Sequence, residues 1–82
     1  MLIRPEKELE MAPEIKRDTL VTSYYGKDIY VEAWQAEGGE AFVHVVEISE
    51  LPPFKRPVRN NFVSLEEALN AGLRFATRQI DY

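Results

Sequence analysis

The sequence predicts an α+β fold: a three-stranded antiparallel β-meander, with room for a short fourth strand, packed on one face by a C-terminal α-helix. Three observations predict it. Between Thr19 and Ser49 apolar and polar residues alternate with a period of two, in stretches rich in Val, Ile, Tyr, Trp and Phe. Glycines at 26 and at 38–39 interrupt that alternation where hairpins would turn. After Ser64 the apolar spacing becomes helical.

Taken in order, residues 1–18 form a polar segment and residues 19–82 a single β-β-β-α domain. Within the first segment, residues 5–16 carry Leu9, Met11, Ala12 and Ile15 among charges. That pattern suits either a short amphipathic helix interrupted near Pro13 or a segment without fixed structure, and we expect partial order. Then TLVTSYY, DIYVEAWQAE and EAFVHVVEIS read as three strands, with Gly26-Lys27 and Gly38-Gly39 as the turns. A two-residue Gly-Gly turn sets Glu37 opposite Glu40. Residue numbers across the second hairpin then sum to 77, pairing Ile29 with Ile48, Val31 with Val46, Ala33 with His44 and Gln35 with Phe42. The opposite face receives Tyr30, Glu32, Trp34, Val43, Val45 and Glu47.

Prolines 52, 53 and 57 remove backbone donors and favour extended structure, so ELPPFKRPVRNN reads as a loop or irregular edge. A short strand at 61–63 is expected to follow. Ser64 with Glu67 fits a capping box, and Glu66 and Glu67 lie where the helix dipole favours negative charge. Leu65, Leu69, Gly72, Leu73, Ala76 and Ile80 make the stripe that should cover the sheet, with Ala68 at its edge and Phe75 off its centre.

With 82 residues, a net charge of −4, 45% hydrophobic and 29% charged residues, the chain has the composition of one small globular domain. A domain of this size buries only about 60% of the surface its unfolded chain exposes. Without cysteine there is no disulfide, thiolate nucleophile or cysteine-ligated metal. The first ten residues hold no apolar run of signal-peptide length, and no stretch approaches the ~18 apolar residues of a membrane span. We therefore expect a cytoplasmic location and no membrane. Charge is uneven: residues 1–18 are net −1, residues 19–50 net −5 and residues 51–82 net +2. An acidic middle disfavours broad contact with a phosphate backbone.

His44 is the single histidine, and the register above turns it toward the helix among apolar neighbours, where it reads as a core residue. One histidine and no cysteine leave no metal-ligand spacing, and neither a nucleophile elbow nor a phosphate-cradling loop occurs. We expect no catalytic residue, no metal and no cofactor. Lys55, Arg56 and Arg59 beside Phe54, with Arg74 and Arg78 one helical turn apart, could hold phosphates. A solvated loop and helix face explains them as well. The helix covers only one sheet face, so Tyr30, Trp34, Val43 and Val45 stand on a second face that soluble sheets usually keep polar. The N-terminal segment, a second copy or a ligand could cover it, and a two-fold dimer needs only one such patch.

From Thr19 onward the order of elements is similar to a class of small bacterial proteins of unknown activity. In these a β-meander leads to a Phe-x-Ser/Thr-x-Glu-Glu-Ala helix ending near Ile-Asp, matched by Phe62, Ser64, Glu66, Glu67, Ala68, Ile80 and Asp81. More distantly, Gly38, Gly39, Pro52, Leu65, Glu66, Glu67 and Ala68 resemble the HicB-like antitoxin domain. Its Pro-Gly-Cys exit does not occur in residues 19–82, and we do not expect DNA binding by that family's familiar route. The first resemblance implies a fold, and the second an antitoxin-like regulatory role. We expect a non-enzymatic interaction module, homodimeric through Tyr30, Trp34, Val43 and Val45, or joined to another protein partner. Nucleic-acid binding through Lys55, Arg56, Arg59, Arg74 and Arg78 is the less favoured alternative.

Overall fold

Alternation decides which sheet face each side chain occupies, and the computed structural model, which describes residues 14–82, shows that alternation across four strands. They are β1 (Ile15–Tyr24), β2 (Lys27–Ala36), β3 (Ala41–Ile48) and β4 (Phe54–Lys55), antiparallel and adjacent in chain order. Helix α1 (Leu65–Asp81) packs on one face. The α+β meander read from the sequence is the fold observed.

Its details differ in several places. β1 starts at Ile15, not Thr19, pairing Ile15 with Ala36, and the Glu37 N–H donates to the Glu14 carbonyl at 2.8 Å. Lys16, Arg17 and Asp18 had marked this stretch as polar, but an edge strand tolerates charge. Of the segment over 5–16, read as either a short helix or a stretch without fixed structure, Ile15 and Lys16 are strand, and its residues up to Pro13 lie outside the described residues. The first turn is Tyr25-Gly26, not Gly26-Lys27. Both have positive φ, 50° and 76°, as a type I′ hairpin requires, which leaves Lys27 to pair with Tyr24. In the second hairpin, the Gly39 N–H donates to the Ala36 carbonyl at 2.9 Å, and Gly38 takes the positive φ (75°) of a type II turn. Glu37 and Glu40 lie in this turn and are not a ladder pair.

The turn, set one residue earlier, shifts the register. Ile29 pairs with Ile48 and Val31 with Val46 as expected, but a bulge between Glu32 and Ala33 pairs Ala33 with Val43 and Gln35 with Ala41. His44 and Phe42 are not their partners. A one-residue shift moves every side chain of β3 on the turn side of the bulge to the other face. Val43 and Ala41 turn toward α1, while Phe42 and His44 turn away from it. His44 is left without a partner in β2, and its carbonyl accepts from the Arg56 N–H at 2.9 Å.

The fourth strand is Phe54–Lys55, a two-residue edge within the segment read as a loop or irregular edge. Residues 61–63 contribute only a bridge from Phe62 to Ala41, closed by two backbone bonds of 2.8 Å. Ser64 Oγ accepts from the Glu67 N–H at 3.1 Å, the expected cap, while the Glu67 carboxylate accepts from the Val63 N–H rather than from Ser64. Ile29, Val31, Ala33, Ala41, Val43, Val46 and Ile48 meet Ala68, Leu69, Ala71, Gly72 and Ala76 in the core. Ala68 is central to the stripe, and Phe75 reaches sideways to Phe54, ring centroids 5.1 Å apart. Asp81 sits at the helix end where the dipole disfavours a carboxylate. There it accepts from the Tyr24 hydroxyl at 3.1 Å, tying the helix to β1.

Candidate interaction face

In an antiparallel sheet directly opposed residues share a face, so the side opposite α1 is laid out in cross-strand rows. Arg17, Trp34 and Phe42 form the first row; Thr19, Glu32, Val45 and Lys55 the second, with His44 beside them; Val21, Tyr30 and Glu47 the third; Ser23 and Asp28 the fourth. The Trp34 ring stacks on His44, centroids 3.7 Å apart and 11° from parallel, and the Arg17 guanidinium lies 4.9 Å from its centroid. Because β1 and β3 flank β2 on opposite sides, Trp34 stands on edge between cation and imidazole. Arg56 covers Phe42 at 4.0 Å and donates to Asn61 Oδ1 at 3.4 Å.

Glu32 ties this face together. One carboxylate oxygen accepts from Trp34 Nε1 at 2.6 Å and the other from the Tyr30 hydroxyl at 2.7 Å. These bonds, that from Trp34 foremost, hold its pKa below the ordinary 4.5; His44 and Arg17 add to the effect and burial opposes it. The same bond raises the pKa of Tyr30. Since the folded pKa of Glu32 is lowered, the stabilisation it supplies is complete above about pH 4.5 and is lost as pH falls through the folded value. Urea midpoints of the unaltered chain should therefore drop more steeply below that pH than those of Glu32→Gln. Parallel profiles would assign the acid sensitivity elsewhere. Glu50 is also lowered, by Lys27 at 2.8 Å, but that pair is exposed and contributes little.

Of the four residues expected on this face, Tyr30, Trp34 and Val45 are there and Val43 is not: it is 0% exposed beneath α1. Phe42, His44 and Arg17 take part instead. A signal for this existed in the sequence. His44 and Glu47 are both polar but three apart, so strict alternation must bury one, whereas a bulge between them lets both face water. The five basic residues of the nucleic-acid reading are not brought together. Lys55 and Arg56 border the open face and Arg59 lies exposed in the following loop, but Arg74 and Arg78 project from the helix on the other side. Near the third and fourth rows a shallow groove of about 360 Å³ is lined by Val21, Asp28, Tyr30, Glu47, Leu51 and Pro53.

Fold and face define a small α+β domain with one sheet face packed under a helix and the other dressed with hydrogen-bonded aromatic and arginine side chains. No protein-family model, curated protein or solved structure matches the chain. Among the described residues no helix is long and apolar enough to cross a membrane.

Proposed function

We propose that the chain is a small, cytoplasmic, non-enzymatic protein-interaction module that self-associates through the open sheet face, with Trp34 at its centre and Tyr30, Phe42, His44, Val45 and Arg17 around it. One observation carries this reading: among the described residues α1 covers a single face, and the other presents Trp, Tyr and Arg in fixed positions. Those residue types dominate the energetics of protein interfaces, and side chains already held in place lose little freedom on binding. Base stacking fits less well, because it needs a free ring face. Trp34 has Arg17 on one side and His44 on the other, and Phe42 has Arg56.

The four strands span about 15 Å at ~4.8 Å per gap, and eight residues of each long strand about 27 Å at ~3.3 Å per residue. That footprint is below the roughly 800 Å² per partner of a standard interface, so a dimer through this face would be a small, dissociable one. Light scattering behind size-exclusion chromatography should show the mass rising with concentration toward twice that of one chain. Trp34→Ala, with its strand signal in far-ultraviolet circular dichroism retained, should weaken association by about tenfold or more. A one-chain mass at every concentration up to the solubility limit would end this reading, and the antitoxin-like alternative, with a different protein on the same face, would take its place.

A further inference from the structure

Charge on the open face is segregated along the strands. In the first two rows the cations are Arg17 on β1, Lys55 on β4 and, over Phe42, Arg56; in the third and fourth the charged side chains are Glu47 and Asp28, with no cation. Glu32 shares the second row with Lys55, both its oxygens already bonded within its own chain. Glu37 and Glu40 flank the β2–β3 turn, beyond the first row and outside the stacked rows.

Two copies meeting face to face must be related by a two-fold axis lying in the plane between the sheets. If that axis runs along the strands, each row faces its own copy, and Arg17 approaches the partner copy's cations. If it runs across the strands, the rows are inverted, and the cationic end of one copy lies over the acidic end of the other. Like charges brought together cost several kcal/mol, whereas opposite ones set orientation. We infer that the partner on this face is a second copy of the chain in the inverted arrangement, the sheets packed at the ~30° offset of aligned sandwiches. Arg56 and the aromatic end of one copy then lie against Glu47 and the groove formed by Val21, Tyr30, Leu51 and Pro53 in the other. The groove supplies apolar walls for the stem of an arginine and carboxylates for its head.

This inference rests on the self-association proposed above, and a charge-reversal exchange separates the two. Arg56 and Glu47 are both exposed, so Arg56→Glu and Glu47→Arg should each keep the fold, as circular dichroism would show. Each variant alone creates two like-charge contacts across the two-fold and should weaken association by at least about tenfold. An equimolar mixture contains a heterodimer in which both contacts are again opposite in sign, and its affinity should return to within about threefold of the unaltered chain. Variants that associate as well as the unaltered chain, or that weaken but are not rescued by mixing, would overturn the inverted arrangement while leaving self-association standing. An unaltered chain that stays at one-chain mass would overturn both.

Discussion

Val43→Asp is expected to leave the chain unfolded at 25 °C, while Val45→Asp, two residues along the same strand, keeps the fold. Val43 is fully buried between β2 and α1, and no polar or charged side chain is buried among the described residues to receive a carboxylate. An unpaired buried charge costs several kcal/mol. At roughly 0.05–0.15 kcal/mol per residue, a domain of this size has about 4–12 kcal/mol in all. Val45 looks the other way, between Glu32 on β2 and Lys55 on β4. There an aspartate reaches water, and the neighbouring charges offset one another, so the loss should stay within about 1 kcal/mol. Far-ultraviolet circular dichroism separates the two outcomes. Near-isosteric threonines supply the number that an unfolded variant cannot: Val43→Thr should cost about 1–3 kcal/mol in urea denaturation, for a buried hydroxyl without a partner, and Val45→Thr little. In the unbulged register Val43 would lie on the open face, so a folded Val43→Asp would restore that register.

Gly72→Ala should also destabilise, against the usual direction for a helix. In an exposed helix interior alanine is better than glycine by about 1 kcal/mol. Here the added methyl would sit 2.5 Å from Val31 Cγ1, 3.4 Å from Val43 Cγ1 and 3.5 Å from Val46 Cγ2. All three valines are fully buried, and β-branched side chains have little rotamer freedom with which to move aside. Either α1 lifts from the sheet or the core is strained, and overpacking of this kind costs about 1–3 kcal/mol. A lowered urea midpoint is the expected result, and a raised one would mean that the helix does not approach so closely. Val31→Ala in the same chain removes the atom in conflict, so the double variant should lose less than the sum of the singles.

Glycine 72 was visible in the sequence only as a member of the helical stripe; its role as the closest approach to the sheet depends on three valines 26 to 41 positions earlier in the chain. The same limit explains the half-correct register. Counting from the glycines gave the right pairs from Ile29 to Glu32, because the bulge makes up the residue by which the turn differs. The same count gave wrong pairs from Ala33 to the turn, since a two-residue Gly-Gly turn and a type II turn starting at Ala36 differ by one residue. Three of the four expected face residues survived because they lie on β2 or on the open side of the bulge; Val43 did not because it lies past it.

Local chemistry by itself determined the succession of strands and helix. Period-two alternation, positive-φ glycines and the Ser64–Glu67 cap act over a few residues and need no distant partner to take effect. Which of the valines at 43 and 45 went inside, and therefore whether Phe42 and His44 joined Trp34 on the open face, was decided by tertiary structure. The bulge holds because the Arg56 N–H takes up the carbonyl of the extra residue and because Gly72 lets α1 settle on Val31, Val43 and Val46. Those groups come together only when the chain has folded, so the spacing of His44 and Glu47 could signal a bulge without fixing where it falls.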